Sequence, residues 1–307
     1  MNDRHGLRVG LALGSGSARG WAHIGVIHAL REAGIRPDIV CGTSIGALVA
    51  AAYATEQLDP LEEWVCKLTW QDVVGFLDLS LDGGLIKGQK LFNHFRESFS
   101  DSKIEELNIP FAAVATDLRS GREIWIQDGS VLDAVRASIA LPGLFTPVKR
   151  DDRFVVDGGL VNPVPVSLAR AMGANIVIGV DLNADLLGRH PKREIALSKP
   201  SDDAEPSFLV KLQSGITSLF SSSSDAKERD EMPSMLDVLA ASINIMQVRV
   251  TRSRLAGEPA DVLIKPKLAK LALMDFHRAA EAIEEGRKAA EDEIADLEAL
   301  LDTESGR

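Results

Sequence analysis

Hydrophobic positions along the first part of the chain form short apolar runs that alternate with segments of helical spacing. Residues 8–13 are an apolar run that ends at glycines, which is typical of a buried strand. Residues 20–33 have apolar side chains at helical spacing, and Gly34 ends that pattern. A second short strand is predicted at 38–41 and a helix at 45–54. This order predicts an α/β fold with a mainly parallel sheet and helices on both faces.

The same patterns continue to the end of the chain, with one interruption. Residues 184–233 are rich in Ser, Asp, Lys, Glu and Pro, which predicts a partly disordered surface insertion. Inside it, residues 208–220 carry Phe and Leu at helical spacing, so this segment is either a lid that contacts lipid or a helix packed on the domain, and we favour the second. Further strands are predicted at 111–116, 122–127, 153–156, 175–182 and 261–265, and further helices at 59–68, 88–99, 130–140, 234–255 and 274–301.

Composition and charge narrow the classes of function. Hydrophobic residues make up 45% and charged residues 26% of the 307, which suits a globular chain with a sizeable core. A net charge of -11 repels phosphate backbones, so we predict no nucleic-acid partner. Cys41 and Cys66 are too far apart to indicate a disulfide framework or a zinc site. Because no stretch approaches the roughly 18 apolar residues of a membrane span, we predict a cytoplasmic protein, at most peripheral at the inner membrane face.

The segment Gly42-Thr43-Ser44-Ile45-Gly46 lies between a short apolar strand and a helix of small residues. This is the setting of a nucleophile elbow, a tight turn that presents a serine hydroxyl and leaves no room for bulk two residues to either side. The following helix directs its N–H groups and the positive end of its dipole toward the serine. The pattern therefore predicts Ser44 as a nucleophile, although an incidental serine in a strand–turn–helix has the same short signature.

A second loop of small residues follows the first predicted strand. Its unobstructed N–H groups can form an anion nest, which in an acyl hydrolase would be the oxyanion hole. A nucleotide phosphate loop is the alternative, but the last glycine of the G-x-G-x-x-G fingerprint is an arginine here. A Walker lysine and the acidic residue expected after the second strand are also absent. The loop consists of Gly14, Ser15, Gly16, Ser17, Ala18, Arg19 and Gly20.

Asp157, followed by Gly158 and Gly159, ends the strand predicted at 153–156. Because α/β sheets place their ligands at the carboxyl ends of parallel strands, a carboxylate at this position can face Ser44. An aspartate in an Asp-Gly turn is also very common, so the motif alone indicates little. In combination with the elbow, it predicts Asp157 as the partner of Ser44.

The histidines offer no convincing third member for a Ser–His–Asp triad. His23 and His28 precede the serine on the first helix, His190 lies in the predicted insertion, and His277 lies among charged residues of a predicted helix. The sequence therefore favours a Ser–Asp dyad over a triad. The ordinary pKa of an aspartate is about 3.9, so an exposed aspartate is a weak base. Partial burial would raise this pKa and make the carboxylate a better base.

Taken in order, GSGSARGWAHIGV, GTSIGALVAAAYA, RASIALPGLFTPV and VVDGGLVNPVPV resemble the patatin-like phospholipase family. The chain looks closest to its bacterial RssA-type branch, which is related to the neuropathy target esterase catalytic domain. The resemblance implies a three-layer α/β/α fold for a single domain over 1–307, with its core at about 7–183 and 235–285. It also implies hydrolysis of fatty-acyl esters by Ser44 and Asp157 without a cofactor or a metal.

One departure from the family pattern lies in the glycine loop, where Ser15 and Ser17 replace glycines that many members have. Serine resists positive φ more than glycine does, so these two serines affect the expected backbone angles of the loop more than the expected activity. The expected partner is a lipid or acyl-ester substrate, with peripheral membrane contact. The alternative is a binding or regulatory protein with little turnover on the same fold. The helix at 274–301 either supports a homo-oligomer or lies on its own domain.

Overall fold

The computed structural model describes residues 6–76, 95–96, 101–142, 144–186 and 235–305. Within these ranges, eight strands form one mixed sheet, and helices cover both of its faces. The predicted three-layer α/β/α fold with a mainly parallel central sheet is therefore confirmed. The strands are β1 (Val9–Leu13), β2 (Ile39–Thr43), β3 (Phe111–Asp117), β4 (Glu123–Ile126), β5 (Val148–Arg150), β6 (Arg153–Asp157), β7 (Ile176–Val180) and β8 (Val262–Ile264).

The α-helices in the described part of the chain have between six and 27 residues. A 3-10 helix at Ser17–Trp21 lies three residues after strand β1, and one at Gly158–Leu160 directly follows strand β6. The α-helices are α1 (Ala22–Glu32), α2 (Ile45–Ala54), α3 (Leu58–Lys67), α4 (Trp70–Phe76), α5 (Val131–Ser138), α6 (Val166–Ala171), α7 (Met235–Gly257) and α8 (Ala279–Ser305).

The centre of the sheet is parallel, and one side of it is antiparallel. Strands β3, β2, β1, β7 and β8 are neighbours in that order and run in the same direction. Strands β4 and β6 pair with β3 in the antiparallel sense, and β5 pairs with β6. Every residue of β1, β2, β3 and β7 is buried, as expected of parallel strands covered on both faces.

Each face of the sheet has its own apolar core. Along β1, Val9, Leu11 and Leu13 belong to the larger core, which includes side chains of α1, α2, α5 and α8. Ala12 points to the opposite face and packs with Leu168 of α6. The C-terminal helix α8 belongs to the larger core and lies against α1, so it packs on its own domain rather than standing free.

Among the described residues, two short α-helices and one short strand have no counterpart in the sequence predictions. Helices α4 and α6 have seven and six residues, which is too short for a helical period to be recognised. Strand β5 has three residues, of which none is fully buried, so it lacks an apolar run. Hydrophobic periodicity therefore predicts the long central elements and misses the short peripheral ones.

Some predicted segments lie outside the described residues. Of the helix predicted at 88–99, the structure describes 95–96. The predicted insertion at 184–233, apart from its first three residues, and the segment 208–220 inside it also lie outside, so both stay predictions. No helix in the described ranges is long and apolar enough to span a bilayer.

Candidate active site

Ser44 lies in the sharp turn between β2 and α2, with φ 58° and ψ -126°. L-residues rarely adopt a positive φ, and the surrounding structure must hold them there. A Cβ atom at Gly42 would lie 2.3 Å from the backbone of Gly46, and one at Gly46 would lie 2.3 Å from the carbonyl oxygen of Leu13. The turn therefore requires glycine at both positions, while Thr43 anchors it by donating from its hydroxyl group to the Asn162 carbonyl oxygen at 2.8 Å.

Strand β3 brings Ser44 and Asp157 together. Thr43, the last residue of β2, pairs with Val114 of β3, and Asp157, the last residue of β6, pairs with Ala115. Strand β4 also pairs with Val114 and Ala115. Since a strand has two edges, β2 and β6 must share the edge of β3 that faces away from β4. Their carboxyl ends therefore meet at adjacent residues of β3, although the two strands run in opposite directions.

The side chains of Ser44 and Asp157 are in direct contact. The Ser44 hydroxyl group donates a hydrogen bond to Asp157 Oδ2 at 2.5 Å, and the Gly159 N–H donates to Asp157 Oδ1 at 2.7 Å. The Asp157 side chain is fully buried. Burial raises the pKa of Asp157 to about 6, against the opposing effect of the hydrogen bonds from Ser44 and Gly159. The carboxylate is thus more basic than an exposed aspartate and is fixed at both oxygens.

No histidine in the described ranges forms a hydrogen bond with this pair. His23 is buried, and its Nε2 donates to the Gly14 carbonyl oxygen at 2.7 Å. Burial lowers the pKa of His23 to about 4, so the ring is neutral at neutral pH. His28 belongs to an ion-pair network between α1 and α3, and His277 packs edge-on against an aromatic ring. His190 lies outside the described residues.

Ser138, at the end of α5, holds the backbone of Ser44 from the other side. The Ser44 N–H donates to Ser138 Oγ at 2.8 Å, and the Ser138 hydroxyl group donates to the Val114 carbonyl oxygen at 2.6 Å. Ser138 is fully buried. This residue has no recognisable signal in the sequence, because a serine near the end of a helix has no distinctive spacing.

Most N–H groups of the glycine loop are already used to hold it in place. In the described part of the chain, the N–H groups of Gly16 and Ser17 have no acceptor, and both residues line the cleft that contains Ser44. Two free N–H groups beside a serine can stabilise a negative oxygen atom. The N–H groups that donate to backbone carbonyl groups within 3.2 Å are those of Gly14, Ser15, Ala18 and Arg19.

Ser17 adopts a positive φ of 51°, in a loop where glycine would do so without strain. Its hydroxyl group donates to the Leu273 carbonyl oxygen at 2.7 Å, which compensates for part of that strain. Gly20 packs directly on the elbow, since a Cβ atom there would lie 2.2 Å from Ile45 Cγ1. The loop and the elbow therefore form one rigid unit despite the serine replacement.

Helix α7 adds two polar side chains that sequence analysis did not identify. Asn244 accepts a hydrogen bond from the buried Arg19 guanidinium at 3.1 Å, and Arg19 Nε donates to the Gly16 carbonyl oxygen at 3.2 Å. Gln247 lies beside the turn that follows Asp157, because a Cβ atom at Gly159 would be 2.5 Å from Gln247 Nε2. The three-residue spacing of Asn244 and Gln247 places both on one face of α7. This spacing indicates two site residues only when α7 is known to border the site.

Ser44 opens onto an apolar cleft. Including its open mouth and the solvent in it, the cleft encloses about 990 Å³. Among the described residues, its polar lining comes from the glycine loop, Ser44 and the two α7 side chains. The apolar lining consists of Trp21, Ile45, Leu48, Trp64, Leu68, Val73, Phe95, Ile139, Leu141, Leu144, Phe145, Ile243, Leu273, Met274 and Phe276.

One group of side chains in the described ranges has the spacing of metal ligands. Ligand atoms of His28, Asp59 and Glu62 lie within 4.8 Å of one another, and none of these residues lines the cleft. Arg31 is hydrogen-bonded to both His28, at 2.7 Å, and Asp59, at 3.4 Å. The guanidinium group already supplies positive charge to this cluster, so we interpret it as an ion-pair network.

Comparison with known proteins identifies the family of this chain. The patatin-like phospholipase family matches residues 11–170, just over half of the chain, and the match includes the glycine loop, the elbow and Asp157. The chain belongs to the patatin-like phospholipase family. The predicted resemblance is therefore confirmed, and membership of this family supports lipid acyl hydrolysis as the activity.

Relatives within the family cover the chain to different extents. An uncharacterised NTE family protein of Mycobacterium tuberculosis is 33% identical over an alignment of 335 positions, which covers 92% of this chain and 90% of that protein. Human patatin-like phospholipase domain-containing protein 6 is 36% identical over 187 residues, or 58% of this chain and 14% of that protein. Among solved structures, VipD from Legionella pneumophila has a TM-score of 0.45 and 14% identity, with 97% of this chain and 67% of that chain covered.

Proposed function

We propose that the chain hydrolyses fatty-acyl ester bonds of lipids, with Ser44 as the nucleophile and Asp157 as its base. The observation that carries this proposal is the 2.5 Å hydrogen bond from the Ser44 hydroxyl group to a fully buried carboxylate. A base within hydrogen-bond distance of the nucleophile is the geometric requirement for activating a serine. A pKa of about 6 keeps most of Asp157 ionised at neutral pH while making it a better proton acceptor than an exposed aspartate.

In the first half of the proposed reaction, Asp157 accepts the hydroxyl proton while Ser44 Oγ bonds to the ester carbonyl carbon. The carbonyl electron pair moves onto oxygen and forms an oxyanion. When the carbonyl group re-forms, the bond to the alcohol breaks, and Asp157 returns the proton to the leaving oxygen. In the second half, water loses a proton to Asp157 while its oxygen atom bonds to the acyl carbon of the acyl-enzyme ester. When the carbonyl group re-forms, the bond to Ser44 Oγ breaks, Asp157 returns the proton to Oγ, and the fatty acid is released.

The free N–H groups of Gly16 and Ser17 are the proposed oxyanion donors. Their neighbours in the loop are committed to backbone carbonyl groups, and the Ser44 N–H is committed to Ser138. Removing one oxyanion donor from a serine hydrolase costs about 3–4 kcal/mol in activation free energy. Two donors on a loop that is tied down on both sides can therefore supply much of the rate enhancement of a dyad that lacks a histidine.

The apolar cleft fits the acyl part of the substrate. Its aliphatic and aromatic lining surrounds Ser44. In the described part of the chain, the charged side chain of this lining is Arg19, whose guanidinium group is bonded to Gly16 and Asn244. Burial of a hydrocarbon chain stabilises the complex by about 25 cal/mol per Å². Phospholipids, lysophospholipids and simpler acyl esters share this acyl group, so all three belong to the proposed substrate class.

The test is fluorophosphonate labelling together with hydrolysis of a panel of p-nitrophenyl esters, phospholipids and lysophospholipids. Ser44→Ala should lose labelling completely and reduce kcat by about 10⁴-fold or more. Ser130→Ala is the matched control, because it removes a serine hydroxyl group outside the cleft. Full hydrolysis by Ser44→Ala would disprove the proposal. Absence of labelling and turnover in the folded wild-type protein would favour a binding or regulatory role.

A further inference from the structure

A second apolar cavity lies behind the cleft, between α2, α3 and α5. It encloses about 370 Å³ including its open part. Leu48 and Phe95 line both this cavity and the cleft, so their side chains form a partition between the two. The partition is firmly seated, since both residues are buried and the Phe95 ring packs edge-on against Trp64 with centroids 5.2 Å apart.

Helix α2 connects the nucleophile with both cavities. Leu48 is four residues after Ser44, so it lies on the same side of α2 about 6 Å further along the axis. Residues further along α2, including Ala51 and Ala52, line the second cavity. A hydrocarbon chain that is esterified to Ser44 and extends along α2 therefore meets Leu48 before it can reach the second cavity.

We propose that Leu48 and Phe95 set the upper limit of acyl-chain length by closing the cleft at this partition. The inference rests on the proposed function, because it assumes an acyl chain bound beside Ser44. Below the limit, each additional methylene group that is buried improves kcat/KM by about fourfold. Beyond the limit, an additional methylene group finds no space and the gain stops.

The experiment compares Leu48→Ala with Leu61→Ala over a series of monomeric acyl esters of increasing length. Both variants lose the same atoms, and both positions are buried. Leu48 lines the cleft and the second cavity, whereas Leu61 lines the second cavity and not the cleft. Leu48→Ala should raise the ratio of kcat/KM for esters beyond the wild-type limit to kcat/KM for short esters by about tenfold or more, which corresponds to burial of about two methylene groups. Leu61→Ala should leave the length profile unchanged, because the partition stays closed.

A second variant that opens the partition keeps the test informative if Leu48→Ala does not fold. Phe95→Leu removes part of the partition from the side opposite Leu48. Like Leu48→Ala, it should allow longer acyl chains to be hydrolysed. An unchanged length profile in both variants, with short-ester hydrolysis and fluorophosphonate labelling retained, would overturn the partition and leave the proposed function intact. A similar extension in Leu61→Ala would also overturn it, because general loosening would then explain the change. Absence of hydrolysis and labelling in the wild-type protein would instead remove the proposed function.

Discussion

Ser17 and Ser44 follow neighbouring parallel strands, and both have the positive φ angles that L-residues avoid, 51° and 58°. Both hydroxyl groups also donate hydrogen bonds of similar length. The acceptor of the Ser17 hydroxyl group is the carbonyl oxygen of Leu273, at 2.7 Å, whereas the acceptor of the Ser44 hydroxyl group is the carboxylate of Asp157, at 2.5 Å. A carbonyl oxygen cannot remove a proton from a hydroxyl group, and a buried carboxylate can.

The difference between these serines lies in what the fold places opposite each turn. The end of β6 meets the end of β2 along one edge of β3, which brings an aspartate to Ser44. The loop that contains Leu273 covers the other turn and offers backbone oxygen atoms. Strained backbone geometry therefore positions a serine in both cases, and the neighbouring element decides whether the serine has a structural or a chemical role.

Asp157→Asn should make Ser44 resemble Ser17, because its hydroxyl group would then meet an amide that cannot accept its proton. We expect kcat/KM to fall by about 10³-fold or more, since loss of the base removes the proton acceptor in both halves of the reaction. Steady-state hydrolysis of a short ester measures this effect, and circular dichroism checks that the variant folds. Retention of more than a tenth of the activity would show that another group acts as the base.

The buried carboxylate should also make stability depend on pH in a way that Ser17 does not. The pKa of Asp157 is about 6 in the folded protein, above its ordinary value of 3.8, so the folded state binds the proton more tightly than the unfolded state. The corresponding stability is fully present below about pH 4 and is lost as pH rises through about 6, in total about 3 kcal/mol.

Urea denaturation of the wild-type protein and Asp157→Asn over this pH range tests that expectation. The variant cannot ionise, so its unfolding free energy should rise relative to the wild-type value by about 3 kcal/mol between about pH 4 and pH 8. All other titrating groups are common to both proteins and cancel in the difference. A difference that stays constant with pH would mean that the pKa of Asp157 is not raised.

Ser138→Ala should weaken the support that holds Ser44 in its strained conformation. The substitution leaves the Ser44 N–H and the Val114 carbonyl oxygen without their partner, and we expect a loss of about 1–3 kcal/mol in stability. We also expect kcat to fall by about tenfold, because small displacements of a nucleophile reduce its rate. KM should change little, since Ser138 does not line the cleft.

Ser130→Ala is a matched control on the same helix. Ser130 caps the start of α5, where its Oγ accepts from the Asp133 N–H at 3.0 Å. Its replacement should lower stability by about 1 kcal/mol without a change in kcat. If both variants lost kcat in proportion to stability, Ser138 would have a structural role and no specific role in positioning Ser44.

The elements that carry a strong local signal could be predicted from the sequence. The elbow glycines, the strand before each loop and the helix after it are local features, and the structure has them at the predicted places. The contacts of Ser138 and Gln247 with the site could not be predicted. They depend on how α5 and α7 pack against strands that are about 90 or more residues away in sequence. Pairing of β6 with β3 is likewise a long-range feature, so Asp157 as a neighbour of Ser44 remained a hypothesis until the register was known.

The smallest expected effects concern Ser17 itself, and they separate its backbone from its hydroxyl group. Ser17→Ala keeps the strained φ and loses the bond to Leu273, so it should be less stable than the wild-type protein by about 1 kcal/mol. Ser17→Gly loses the same bond but relieves the strain, since glycine adopts φ 51° freely, and its stability should lie within about 0.5 kcal/mol of the wild-type value. Both variants keep the backbone N–H, so kcat should stay within about threefold of the wild-type value. Thermal denaturation and ester hydrolysis measure the two quantities. A loss of activity greater than about tenfold in both variants would show that the hydroxyl group takes part in the reaction, because both lack it. Ser17 would then have a chemical role as Ser44 does.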